Sequence, residues 1–122
     1  MIQIYLPGKV IAKARPRIGR NNRMYNPEKS KNYQEQLSWL IKQECIKNSM
    51  YQPTKGPVRL YAIAEVINPI AKPDNDNLQK IILDAGTGIL YEDDAQVVFA
   101  SLEKIAVKKL SQCGLSARFV FK

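Results

Sequence analysis

Lys72-Pro73-Asp74-Asn75-Asp76-Asn77-Leu78-Gln79-Lys80 is the stretch on which the reading of this chain turns, and Glu92-Asp93-Asp94 answers it. Every aspartate of the protein lies between positions 74 and 94. The chain around them is cationic, with 19 lysines and arginines against 11 acids and a net charge of +8. Carboxylates gathered inside a basic protein repel one another, and a divalent cation is the usual reason to tolerate that. Mg²⁺ takes hard oxygen ligands, commonly one or two carboxylates with water and a substrate phosphate. Pro73 disfavours helix at Lys72. Leu78, Ile81, Ile82 and Ala85 then recur at i, i+3, i+4 and i+7, which predicts a helix to about Ala85, ended by Gly86 and Gly88. The chain therefore passes from extended to helical within Asp74–Asn77. On extended backbone, Asp74 and Asp76 point to one side. Lys80, four residues after Asp76, stands beside it on the helix.

Working outward, Ile2–Leu6 reads as a first strand ended by Pro7-Gly8. Lys9, Lys13, Arg15 and Arg17 share one parity, so an extended strand or hairpin there would present a basic face. Arg20 continues it. Phosphate binding is the functional reading of this stretch, and a solvated basic loop is the bland one. Asn26-Pro27 marks a helix start. Tyr33, Leu37, Leu40, Ile41 and Cys45 give that helix an apolar stripe to about Lys47, with Trp39 and Ile46 off the stripe, thickening the core or facing a partner. Val58–Val66 alternates as a strand with Val58, Leu60, Ala62, Ala64 and Val66 on one face. Gln96–Val107 and Leu115–Phe121 read as two more strands.

The chain has 122 residues, which fits one domain. The pattern predicts an α+β fold, a mixed sheet of about four to five strands with two principal helices. There is no histidine, which removes Ser-His-Asp and Cys-His chemistry and histidine-bound zinc. Cys45 and Cys113 have neither metal-ligand nor disulfide-framework spacing and read as reduced thiols of a cytoplasmic protein. No apolar run reaches membrane-span length and no signal peptide opens the chain. The positive charge points to a polyanionic partner, nucleic acid first.

Each aspartate also has a structural reading. Asp74 can be an N-cap, Asp76 a first-turn partner of the helix dipole, and the Asp93-Asp94 pair another cap. Spacing does not choose between Asp93 and Asp94 as a ligand. Asp84 falls on the far side of its helix and reads as structural.

Asp74-Asn75-Asp76-Asn77-Leu78-Gln79-Lys80, followed by Asp84-Ala85 and by Asp93-Asp94-Ala95-Gln96-Val97-Val98, closely resembles the RusA family of Holliday junction resolvases, small endodeoxyribonucleases of bacteria and their phages. Lys13–Arg17 is similar to a basic stretch of many phage members. The resemblance implies that Asp74, Asp76 and Asp94 hold Mg²⁺, that Lys80 is the catalytic lysine, and that the protein is a homodimer cutting paired strands across four-way DNA. A metal-activated water would attack a backbone phosphodiester in line, with Lys13, Arg15, Arg17, Arg20 and Lys72 on phosphates. The rival readings are a non-catalytic DNA-binding protein of prophage origin and a general flap nuclease on the same site.

Overall fold

The computed structural model describes residues 1–13, 27–71 and 73–121. Its elements run β1 (Ile2–Pro7), α1 (Pro27–Lys47), β2 (Val58–Val66), α2 (Asn75–Gly86), β3 (Val97–Ala106) and β4 (Gly114–Phe121), with short 3-10 turns at Asp94–Gln96 and Leu110–Gln112. The strands form one mixed sheet in the order β1-β4-β2-β3. β4 is antiparallel to both β1 and β2, whereas β2 and β3 are parallel. This is the α+β architecture that the alternation and the two periodic stripes predict.

The helices share one face of the sheet. Val58, Leu60, Ala62, Ala64 and Val66 of β2 are all buried beneath them, together with Ile2, Ile4, Leu115, Ala117 and Phe119. From α1 come Tyr33, Leu37, Ile41 and Cys45, and from α2 come Leu78, Ile81, Ile82 and Ala85. The i, i+3, i+4 spacing is what lets so short a helix as α2 put four apolar groups into one core. Ser38 Oγ donates to the Ala85 carbonyl at 2.9 Å and ties α1 to the end of α2. Trp39 and Ile46 do not thicken the core; they are exposed on the outer side of α1, where the period carries them. Cys45 and Cys113 are buried free thiols. Among the described residues no helix is long and apolar enough to cross a membrane.

The expected basic strand does not form over the part of it that is described. Residues 10–13 carry no strand pairing. Val10 instead drops into the core, and the Lys13 N–H donates to the Asn77 carbonyl of α2 at 3.3 Å. A buried apolar residue and a bond to a helix hold this segment off the sheet. Arg15, Arg17 and Arg20, like Asn26 and Lys72, lie outside the described residues.

β2, α2 and β3 form a parallel crossover. Because the two strands run the same way, α2 must run back against them. The start of β3 therefore lies at the C-terminal end of α2, a constraint that governs the site.

Candidate active site

Asp74 is the last extended residue before α2, at φ −68° and ψ 149°. The helix begins at Asn75, inside the Asp74–Asn77 window that the sequence pattern gives, so Asp76 sits in the first turn rather than on extended chain. Asp74 occupies the N-cap position, yet its side chain makes no capping hydrogen bond. Its backbone carbonyl accepts from Leu78 N at 3.1 Å, the first bond of the helix. Asp76 Oδ1 accepts from the Asn77 N–H at 3.0 Å. Asn75 is spent on structure: its Nδ2 donates to the Leu102 carbonyl of β3 at 2.7 Å and its Oδ1 accepts from Gln79 at 2.6 Å. Lys104 Nζ, also from β3, donates to the Ala71 and Pro73 carbonyls at 3.0 and 2.8 Å. These three bonds to β3 residues fix the entry to α2 beside the second half of that strand. Lys80, one helical turn beyond Asp76, is exposed.

Asp94 lies elsewhere. It lines a shallow hollow with Asp84, Thr87, Glu92 and Asp93, at the other end of α2. Asp74 and Asp84 are ten residues apart, about 15 Å of helix at 1.5 Å per residue. The structure thus brings Asp74 and Asp76 to one end of α2, and Asp94 to the opposite end with Asp84. Among the described residues, no group of three or more acidic or thiol side chains is close enough to hold a metal ion. The donor chemistry suits Mg²⁺. The convergence expected of Asp74, Asp76 and Asp94 does not occur within one chain, and the parallel crossover is the reason.

At this second end the carboxylates differ in employment. Asp93 caps the 3-10 turn, its Oδ1 accepting from Ala95 N at 3.0 Å. Gln96 completes the cap and uses all of its amide. Its Oε1 accepts from Glu92 N and Asp93 N at 2.9 and 3.2 Å, and its Nε2 donates to the Thr54 and Gly56 carbonyls at 2.9 and 3.0 Å. Spacing left Asp93 and Asp94 equivalent; the cap gives Asp93 a structural task and leaves Asp94 exposed on the adjoining position. Gln96 and Thr54 are the residues whose role sequence reasoning missed. For Gln96 there were two hints: its place in the family motif, and its place three residues after Asp93, the spacing of a capping box.

Asp84 is not merely on the far side of its helix. Lys13 Nζ lies 3.2 Å from its Oδ2 and donates to Gln34 Oε1 at 2.8 Å. The candidate phosphate contact Lys13 is thus bound to both helices. Tyr91 closes the bottom of this end. Its hydroxyl donates to the Leu83 carbonyl at 2.7 Å, and Gly86 is where the ring passes: a Cβ there would stand 2.8 Å from the Tyr91 oxygen. Burial, and then the nearby charges of Asp94 and Asp84, push the Tyr91 phenol well above its ordinary range, so it stays a neutral donor.

The open face of the sheet carries a different cationic surface. Arg118 stacks 5.0 Å from the Tyr61 ring centre and Arg59 lies 5.5 Å from that of Phe99. Such pairs hold arginines over aromatic faces.

The family model described as Endodeoxyribonuclease RusA matches residues 7–112. That span takes in both ends of α2 and everything between them. The chain is also similar to the uncharacterized protein YqaN of Bacillus subtilis (strain 168), at 27% identity, with 84% of this chain and 86% of the relative covered.

Proposed function

From the premise that this chain belongs to the RusA endodeoxyribonuclease family, we propose that it cleaves four-way DNA junctions in a Mg²⁺-dependent reaction, as a homodimer serving recombination and repair in the cytoplasm of a bacterium. Asp74, Asp76 and Asp94 are the carboxylates required for cleavage. The observation that carries this reading is the family match over residues 7–112, a span that holds Asp74, Asp76, Lys80 and Asp94. Asp74 stands at an N-cap with extended backbone, and its carboxylate makes no capping hydrogen bond.

Bound Mg²⁺ would supply charge neutralisation and Lewis acidity at the scissile phosphate. The chain's own groups have separate tasks. Lys80 puts a cation one turn from Asp76, where it offsets charge developing on a phosphate oxygen. The net charge of +8 draws the DNA backbone to a surface that would otherwise repel it locally through its aspartates. Arg15, Arg17, Arg20 and Lys72 are proposed phosphate contacts.

The test offers wild type and Asp74→Asn a synthetic four-way junction, a flap and a linear duplex, each with and without Mg²⁺. Wild type is expected to nick the junction in preference to the other two, and only with Mg²⁺. Asp74→Asn is expected to bind the junction and to lose about 10²–10³-fold in nicking rate, the usual effect of removing one transition-state contact. Junction binding by both proteins without nicking by either would make this a binding protein. Equal cleavage of flap and junction would make it a general branched-DNA nuclease.

A further inference from the structure

The face of the sheet turned away from the helices carries a strip of four side chains that the cleavage reaction does not use. Arg118 stands opposite Tyr61 across β4 and β2, and Arg59 stands opposite Phe99 across β2 and β3. The two rings lie 5.4 Å apart between centres, and each has its arginine over it, at 5.0 Å for Tyr61 and 5.5 Å for Phe99. We infer that this strip is a stacking platform for an unpaired DNA strand, with bases on the rings and guanidinium planes and phosphates beside the arginines. This deepens the function proposed above and rests on it for the source of the strand, since branched DNA supplies unpaired nucleotides.

Three observations carry this. The first is the chemistry of the strip. Ring faces and guanidinium planes take any base by stacking, and the arginines add charge for the backbone. Bases in a duplex are already stacked on one another, so such a surface selects unpaired ones. Phe99 is 41% exposed, and Arg118 is exposed as well. A hollow of about 460 Å³ opens beside Tyr61 and Arg118, and Gln3 and Ser101 on its wall can hydrogen-bond a base edge. The second is the distribution of charge. Glu103 and Glu65 follow on the same face towards the far ends of β3 and β2, opposite Ile63 and Ile105. A polyanion is drawn to the arginine end of the face and turned away from the other. The third is position. The Asp94–Gln96 turn leads directly into β3, on which Phe99 is the first of these side chains, and Gln96 Nε2 donates to the carbonyl of Gly56, just before β2 and Arg59. Only the start of β3 separates the Asp94 carboxylate from the first ring.

Fluorescence anisotropy of a labelled oligothymidylate, without Mg²⁺, reads binding apart from cleavage. The full chain is compared with Tyr61→Ser, Phe99→Ser and Phe99→Tyr, each checked by circular dichroism for an intact fold. Each serine variant is expected to bind about tenfold more weakly, the usual loss of one stacked base, and Phe99→Tyr to bind as wild type does. An abasic strand of the same length keeps the phosphates and removes the bases, and wild type is expected to bind it about tenfold more weakly than oligothymidylate. An oligonucleotide carrying 5-iodouracil is expected to crosslink to Tyr61 or Phe99 under ultraviolet light, with the site read by mass spectrometry. Equal binding of the abasic strand, unchanged affinity in both serine variants, or crosslinks confined to other elements would overturn the platform. So would a wild-type dimer that the serine variants turn into monomers, because the face would then be a contact between copies. If Phe99→Ser does not fold, Phe99→Leu, which keeps the bulk and loses the ring, carries the same expectation. A wild type that binds oligothymidylate through these rings and nicks no junction defeats the function and leaves the platform standing. One that nicks junctions and does not distinguish the abasic strand defeats the platform alone.

Discussion

The two ends of helix α2 carry the same kind of residue and use it differently. At the C-terminal end two of the carboxylates have structural partners. Asp84 is ion-paired with Lys13, Asp93 caps a turn, and the Glu92 and Asp93 amides are held by Gln96. At the N-terminal end Asp74 occupies a capping position without capping, and Asp76 and Lys80 are exposed along the same helix. What differs is whether the aspartate at the cap position caps, not the acidity of the stretch. An acidic cluster is a sum of individual tasks, and only some of them bear on chemistry.

The largest expected effect separates the neighbours Asp93 and Asp94. Asp94→Asn should cut junction nicking by about 10²–10³-fold while leaving stability within about 0.5 kcal/mol, as for an exposed position. Asp93→Ala should do the reverse, costing about 1 kcal/mol through its lost cap and leaving most of the nicking rate. Nicking assays and denaturant melts on the two variants check this, and an exchange of the two phenotypes would break the comparison.

Gln96→Ala comes next. It strands two carbonyls and two amides in a half-buried place, and removal of such partners costs about 1–3 kcal/mol. The expected outcome is a lowered urea midpoint with an unchanged slope, and a nicking loss that recovers at low temperature, where the return segment refolds onto Thr54 and Gly56.

The smallest effect is at Lys13. Its ammonium and the Asp84 carboxylate are about a third and a quarter exposed, so screening leaves the pair worth well under about 1 kcal/mol. Lys13→Met should lower the melting midpoint only slightly and lose its difference from wild type in high salt. A large drop in junction affinity instead would make Lys13 a DNA contact first and a helix tie second.

Much of the fold was legible because it is written in local period. The 3.6-residue recurrence of Leu78, Ile81, Ile82 and Ala85 and the alternation of Val58–Val66 state which faces are buried. The basic stretch from Lys9 was misread over its described part, because parity describes a strand only where a strand pairs. Val10 entering the core and Lys13 bonding to α2 are long-range events that no local pattern encodes.

The amino-acid order by itself determined the two helices and their apolar stripes, an α+β sheet of about four to five strands, the two faces of Val58–Val66, and the identity of the carboxylates that belong to the family motif. It also showed the chain passing from extended to helical within Asp74–Asn77. Only the tertiary structure decided where Asp94 goes. A mixed sheet does not say which pair of strands is parallel, and here that pair is β2 and β3. A parallel crossover returns the chain to the far end of its helix, so a residue just before β3 must stand about 15 Å from one just before α2. Sequence neighbours along the motif are thus held apart by topology.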